Sequence, residues 1–401
     1  MKDTFLDIHK SALKNKGAYF TATEISRQPQ SWKKTLLELK ERRSEFESFL
    51  ESMKDIENLQ VVLTGAGSSA FIGEVLQYAY KVNFRKDIKA IATTDLVTHF
   101  ESLIQCDKPL LLISFARSGN SPESMATIQL ANELCTNNIF HLIITCNPEG
   151  KLNTEVSGEH VITFLLPGET NDQSLAMTNS FSSMMIAGFL LSDLDHLDQY
   201  EEELADIGEY AEKILSNYLP QIRKIAESDF ERAIFLGSGP FLGIARESHL
   251  KLQELTDGHV ICKFDSFLGF RHGPKAVVDE KTLIVYLVSN SDYVKNYEMD
   301  LIKEIQKNGF GEQSLAIVEN SLHDRIIDQE SCVLLSDEVR KSSPFLMGGV
   351  YVMVAQLLGF FKSLHFGLEP DNPSRKGAIS RVVQGVQIYP YDYQEIQDGS
   401  I

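Results

Sequence analysis

The sequence predicts an α/β protein built as two doubly wound parallel sheets, and three observations carry that prediction. Short apolar runs alternate with longer amphipathic ones along most of the chain. The strand-to-helix turn VVLTGAGSSAFIGE (61–74) recurs as AIFLGSGPFLGIARE (233–247). A second matched pair, LLLISFARSGNSPES (110–124) and TLIVYLVSNSDY (282–293), follows at similar spacing in both halves. Alternation of this kind is the parallel-sheet signature, because parallel strands need crossover connections, usually helices. A chance pair of glycine turns is the alternative. The second matched pair favours duplication of one α/β unit.

Taken in order, residues 22–57 carry Trp32, Leu36, Leu37, Leu39, Phe46, Phe49 and Leu50 at helical spacing among charges and predict a helical lead-in. Strands are expected near 60–64, 88–92, 110–114, 140–145 and 161–166, each followed by a helical pattern. Tyr200 to Glu227 reads as a connecting helix, which puts the linker near 200–228. Strands near 232–236, 282–288, 314–318 and 332–335 then repeat the plan. The stretch 344–365 is apolar on nearly every side and predicts a helix buried at a core or an interface. From Gly367 the tail has Pro370, Pro373 and Pro390 and too few apolar periods for a domain. Its Val382, Val383, Val386, Ile388 and Tyr389 predict packing across a domain or subunit face that closes a site. The expected division is a lead-in (1–44), two sheet domains (45–215 and 216–366) and the tail (367–401).

The 401 residues exceed what one core usually supports, and 43% hydrophobic content lets two domains bury cores. A formal charge of −18, with no Lys/Arg cluster, argues against nucleic acid or an anionic membrane as partner. Any anionic substrate needs local positive potential within an acidic whole. The five cysteines (Cys106, Cys135, Cys146, Cys262, Cys332) are odd in number and lack CxxC spacing, so reduced cytosolic thiols are expected over disulfides or zinc ligands. No metal site is expected. The N-terminus MKDTFLDIHKSALKNKG has no apolar h-region, and no run reaches the roughly 18 apolar residues of a bilayer span, so a cytoplasmic location is expected.

The run 110–124 carries the clearest chemistry. A strand that breaks into Ser, Arg, Ser, Gly, Asn and Ser before Pro122 opens a helix aims backbone N–H groups and a positive helix end at one point, which suits a phosphate. Gly65-Ala-Gly67-Ser-Ser-Ala70 also fits a dinucleotide fingerprint with Asp95 as ribose acid. Against that, Ser68 and Ser69 place two hydroxyls in the turn, and Asp95 lies about thirty residues on instead of about twenty. After the second glycine turn, Glu247, Lys251 and Glu254 fall at i, i+4 and i+7 and share one helical face. A solvated face is the ordinary reading of that spacing. The turn Gly269-Phe-Arg271-His272-Gly273-Pro274, just downstream, adds an imidazole, and a carboxylate with an imidazole makes an acid/base set.

These motifs resemble the sugar isomerase (SIS) superfamily with both SIS domains in one chain, and within it the AgaS group of amino-sugar-phosphate deaminases/isomerases. The stretches that carry the resemblance are SFARSGNSPES, ETNDQSLAMTNSF (169–181), FLGFRHGP and PDNP…RVVQGVQIYP (370–390), over about residues 45–390. The isomerase half of glucosamine-6-phosphate synthase is a more distant likeness. The resemblance implies two flavodoxin-like αβα layers and phosphate binding by Ser118 and Ser121. It also implies sugar contacts from Ser68, Ser69 and the loop 175–178. Thr178 keeps a hydroxyl there, although a helix N-cap explains it equally well. Ala116 and Arg117 replace a Ser-Gln pair, so Arg117 offers the phosphate a charge-assisted donor. Met177 replaces a Ser.

By the same resemblance Glu254 moves a proton between C1 and C2, His272 opens the ring, and Lys251 and Glu247 support them. Arg375, Lys376 and Arg381 are the only basic candidates for the role of a C-terminal lysine, and none is assigned to it. The implied reaction converts galactosamine 6-phosphate to tagatose 6-phosphate with loss of ammonium, without cofactor or metal. The implied partners are a phosphorylated hexosamine or ketohexose and a second copy of the chain, in a homodimer or higher homo-oligomer that shares active sites. Lys2 follows Met1 where a glutamine-hydrolysing domain exposes a cysteine, which favours release of ammonia over synthesis from glutamine. The rivals are plain ketose/aldose isomerisation and a phosphosugar sensor. The sensor reading is weakened because residues 1–57 hold no basic helix-turn-helix pattern.

Overall fold

Both glycine turns hold the same backbone: Gly67 lies at φ +57°, ψ −128° and Gly239 at φ +57°, ψ −125°. Only glycine visits that region without strain. A Cβ on Gly65 would fall 2.6 Å from the Ser69 Cβ, and one on Gly237 2.2 Å from the Phe241 carbonyl oxygen. The likeness between the two sequence stretches is therefore a likeness of conformation.

The computed structural model describes residues 3–391 except 136, 308, 310–312, 321–327, 339, 384 and the side chain of 329. The first sheet contains β1 (Gln60–Thr64), β2 (Asp87–Ala90), β3 (Leu110–Ala116), β4 (Ile139–Thr145) and β5 (Val161–Leu165), in spatial order β2-β1-β3-β4-β5 and all parallel. The second contains β6 (Arg232–Gly237), β7 (Ile261–Asp265), β8 (Thr282–Leu287), β9 (Ser314–Val318) and β10 (Cys332–Leu334), in order β7-β6-β8-β9-β10, again all parallel. One strand order read twice is the flavodoxin-like order 2-1-3-4-5.

Seven helices position the site: α1 (Tyr19–Glu41), α2 (Ser68–Phe84), α3 (Pro122–Leu134), α4 (Asn179–Leu191), α5 (Pro240–Leu255), α6 (Asp292–Lys307) and α7 (Pro344–His365). The helices that follow the two glycine turns, α2 and α5, pack on each other. They approach so closely that a Cβ on Gly243 would sit 2.7 Å from a Val75 methyl. The repeats consequently share one hydrophobic cluster, which takes Val61 and Leu63 from β1, Ala233 and Phe235 from β6, and Ile244 and Leu252 from α5. Alternate residues of β6, Ile234 and Leu236, face the other way, into a separate cluster with Phe267, Phe270 and Met299. This alternation gives the second sheet a near face, toward α2 and the first repeat, and a far face, toward α6.

The connecting segment runs Leu197–Lys213, a π turn at Ile214–Tyr218, then Leu219–Ala226, in agreement with the helical pattern of 200–227. The lead-in is α1 followed by Arg43–Glu51. Pro29 sits inside α1, and the Ile25 carbonyl that it leaves without an amide accepts from the Gln28 side chain at 3.2 Å. Helix α7 is long and apolar enough to cross a bilayer by length and composition, at mean hydropathy 1.7, yet every residue from Leu346 to Ser363 is buried. Of the two sequence readings, core or interface, the chain's own core accounts for it.

One expectation needs correction. Strand β7 was not foreseen, because it is an edge strand whose sequence ICKFD exposes Ile261 to 62% and so lacks an apolar run. The tail's expected packing across a domain or subunit face is met only in part by the chain itself, which leaves Val383 57% and Tyr389 72% exposed. Its first part, from Leu368 to Arg381, is tied to the body of the chain by hydrogen bonds, and Tyr391 packs against the cluster of Val62, Leu96 and Leu112 in the first repeat.

Candidate active site

Helix α5 lays Glu247, Lys251 and Glu254 along the face that meets α2, and the ordinary reading of that triplet as a solvated face fails. Glu247 is fully buried and Lys251 is 1% exposed. The Lys251 ammonium lies 2.6 Å from Glu254 Oε2, 3.3 Å from Glu247 Oε1 and 3.1 Å from Ser68 Oγ. Burial raises the Glu247 carboxyl to about 7, against the pull of Lys251. Burial pulls the Lys251 ammonium down, but the two carboxylates outweigh it and hold the group above its ordinary value. Only Glu254, with its side chain 22% exposed, is open to a ligand.

Ser68 is the first residue of α2, so the contact with Lys251 joins the first glycine turn to the second repeat. Ser69 lies 4.0 Å from the Met177 sulfur, which brings the loop before α4 onto the same turn. Thr178 is wholly buried, and among the described residues its hydroxyl neither caps α4 nor finds another partner, so the capping explanation does not hold. Its amide instead donates to Asp172 Oδ2 at 2.8 Å.

Strand β3 is the neighbour of β1, so its turn lies beside the glycine turn. Ser118 is partly buried and its Oγ accepts from the Asn120 amide at 3.2 Å. Among the described residues, the amides of Gly119 and Ser121 have no acceptor, and both stand at the N-terminal end of α3. Ser121 caps nothing, because its hydroxyl donates to Glu123 at 2.7 Å. The turn is braced from behind: the Asn147 side chain donates to the Ser118 carbonyl at 2.8 Å, and a Cβ on Gly150 would lie 2.5 Å from that oxygen. Free amides at a positive helix end make a seat for an anion.

Arg117 departs from its sequence-based role. The guanidinium, 7% exposed, is engaged by the chain itself, donating to the Ser174 and Leu175 carbonyls at 3.2 and 2.9 Å and to the Arg381 carbonyl. A buried loop has carbonyls that need donors, and Arg117 supplies them. Burial lowers its pKa, and its charge is still felt at Lys251. Arg381 reaches back to the Asp172 carbonyl at 2.8 Å, and Arg375 is taken by the Gly367 carbonyl.

His272 does not join the set within one chain. It lies in the crossover between β7 and β8, on the far face of the second sheet, where its neighbours Arg271 and Lys275 both pair with Glu304 of α6. Its ring is exposed and, among the described residues, has no hydrogen bond or ion pair. Glu254 is on the near face.

The turn after β8 has a different fate from its counterpart after β3. The amide of Ser289 donates at 2.7 Å to Glu298 Oε2, a wholly buried carboxylate from α6. The second repeat thus fills its own anion seat with a side chain.

Sequence reasoning missed the buried carboxyl pair Glu24 and Asp172. Glu24 Oε1 takes the amides of Gln173 and Ser174 at 2.6 and 3.3 Å, while Asp172 Oδ2 takes those of Thr178 and Ser180 at 2.8 and 2.9 Å. Burial raises both carboxyls. Asp371 of the PDNP motif was also missed as a structural element. Its carboxylate binds the Phe20 and Thr21 amides at the start of α1, and its carbonyl accepts from Leu175.

The family model described as "SIS domain" matches residues 56–192 and 225–360. The D-galactosamine-6-phosphate deaminase AgaS of Shewanella sp. (strain ANA-3) is 38% identical over 97% of this chain and 97% of its own length. The protein of the same name from Escherichia coli is 37% identical over 93% of this chain and 96% of its own. The crystal structure of tagatose-6-phosphate ketose/aldose isomerase from Escherichia coli superposes with a TM-score of 0.84 at 32% identity, covering 97% of this chain and all of that one.

Proposed function

The chain belongs to the SIS domain family, and from that premise we propose that it is a deaminase/isomerase converting galactosamine 6-phosphate to tagatose 6-phosphate and ammonium. The observation that carries the reading is the half-open Glu254 carboxylate, held by buried Lys251 directly across from the hydroxyl-bearing glycine turn.

In this reading the phosphate sits on the Ser118–Ser121 turn and the sugar chain extends past Ser68 and Ser69 toward Glu254. Once the ring is open, Glu254 takes the proton from C2 and returns it to C1. The 2-amino aldose becomes a C2 imine with a C1 alcohol. Water then adds to the imine carbon, and the C–N bond breaks to leave the ketose and ammonia, which gains a proton. One carboxylate suffices for the transfer because C1 and C2 are adjacent and the proton leaves and arrives on one face. Lys251 holds Glu254 in place through their 2.6 Å ion pair, and lies 3.3 Å from buried Glu247 on its other side.

Ring opening needs a second proton-transfer group. We assign it to His272 of a second copy of the chain, since the second sheet separates His272 from Glu254 within one chain. That assignment makes the working enzyme a homo-oligomer with shared sites, acting in the cytoplasm. The test is a panel of hexose and hexosamine 6-phosphates assayed for ammonium and for ketose. Equal amounts of both from galactosamine 6-phosphate are expected. Ketose without ammonium from any substrate would leave only plain isomerisation, and binding without turnover would leave a sensor.

A further inference from the structure

The loop 171–178 makes no regular secondary structure, yet it is held on both polar edges. Its amides at Gln173, Ser174 and Thr178 go to the carboxyls of Glu24 and Asp172. Its carbonyls at Asp172, Ser174 and Leu175 go to two guanidiniums, Arg381 and Arg117. Both arginines also tie the tail to this loop: Arg117 donates to the Arg381 carbonyl, and Arg381 donates through Nε and Nη2 to the Asp172 carbonyl at 2.8 and 2.6 Å. Arg381 belongs to the tail, about two hundred residues after the loop it grips. Arg117 adjoins Ser118, the first hydroxyl of the anion turn.

We propose that Arg117 is a positioning residue: it locks the tail at Arg381 onto the loop 171–178 and so presets the loop's distance from the glycine turn, which sets affinity for the sugar part of the substrate. The inference rests on the functional reading above for what the loop faces. Its physical basis is independent of that reading. Fixing an irregular segment costs backbone entropy, and the clamp places that cost in folding instead of in binding. Only a planar fork with several fixed donors can serve three carbonyls on two segments at once. A lysine ammonium in the same place keeps the charge but not that geometry.

Hydrogen exchange of the whole protein without ligand, followed by steady-state kinetics with galactosamine 6-phosphate, tests the proposal on Arg117→Lys, Arg381→Ala and the double variant. In each single variant exchange should rise at 171–178 and at 378–383 while the two sheets stay protected. KM should rise about tenfold, with kcat within about threefold. The double variant should be no worse than the poorer single one, because both act on one contact set. Unchanged exchange at the loop in Arg117→Lys would overturn the clamp. A drop in kcat at constant KM would overturn the positioning role and make Arg117 part of the chemistry. If the unaltered protein turns over no sugar phosphate at all, the functional reading fails, and the exchange results still decide whether the clamp exists.

Discussion

The ammonium of Lys251 lies 3.1 Å from the hydroxyl of Ser68, a contact that crosses from the second repeat to the first. It is the point at which duplication becomes an active site. One copy of the α/β unit supplies a glycine turn with hydroxyls, and the other supplies charged residues on the helix after its own glycine turn. Replacing Lys251 with Met leaves Glu247 buried beside a second carboxylate without a counter-ion. Loss of one partner from such a pair costs about 3–5 kcal/mol, so Lys251→Met should unfold at a markedly lower temperature and lose turnover. A variant of unchanged melting temperature would mean that the buried pair is not the charge arrangement described.

Glu254 is different, because its side chain is partly open and its partner Lys251 remains paired with Glu247 when it is neutralised. Glu254→Gln should therefore fold normally and bind sugar phosphate within a small factor, while kcat falls about 10²-fold or more. Circular dichroism, a binding titration and initial rates separate the three effects. Substantial residual turnover would remove the carboxylate from the role of base.

At the start of α3 the Ser118 hydroxyl stands beside two amides that have no acceptor among the described residues. Losing one hydrogen bond to a charged group costs about 1.5–3 kcal/mol, so Ser118→Ala should raise KM for a phosphorylated sugar about tenfold or more. The unphosphorylated sugar, poor in either enzyme, should respond little. An equal change for both sugars would show that the turn does not read the phosphate.

The parts of this fold that were legible in the sequence are those where one physical demand dominates. Buried parallel strands such as LLLISFA must be almost continuously apolar, and the last position of the turns GAG and GSG must be glycine to reach φ +57°. The face shared by Glu247, Lys251 and Glu254 was legible as spacing, but its burial was not, since charges at helical spacing read the same in solvent or against α2. Arg117 misled because a residue next to an anion turn has two uses for a guanidinium. Carbonyls from residues 174, 175 and 381 compete for it, and nothing local in the chain announces that they are near. Strand β7 escaped because half of it faces solvent.

The second repeat offers a test of what its anion seat has become. Burial raises the Glu298 carboxyl to about 7, above its ordinary 4.5, even though the Ser289 amide favours the ionised form. A carboxyl whose folded pKa is raised binds its proton more tightly in the native state. Its contribution to stability is fully present below about 4.5 and is lost as pH rises through about 7. Glutamine carries no charge at any pH and still accepts from the Ser289 amide. Glu298→Gln should match the unaltered protein near pH 4.5 and exceed it at pH 8, by on the order of 3 kcal/mol at most. Subtracting the two melting curves across that range cancels the titrations of Glu24 and Glu247. A difference that does not change with pH would place the Glu298 carboxylate in solvent.

Asp371 ties three segments together: its carboxylate accepts from the Phe20 amide at 3.1 Å and from the Thr21 amide and hydroxyl at 2.8 Å each, its amide donates to the Gly17 carbonyl, and its carbonyl accepts from Leu175. The side chain does from the tail what an N-cap does from within a helix, because Ala18, which precedes α1, has no side-chain acceptor. Removing it should cost about 1–2 kcal/mol, the usual penalty of a lost cap. The backbone bond to Leu175 survives the substitution, so the loop should keep most of its position. Asp371→Ala is therefore expected to lower the melting temperature by a few degrees with KM nearly unchanged, while Asp371→Asn recovers most of the loss by keeping one acceptor oxygen. If Asp371→Ala instead raises KM as strongly as Arg381→Ala, the tail is held over the loop by its first turn and not by the paired arginines.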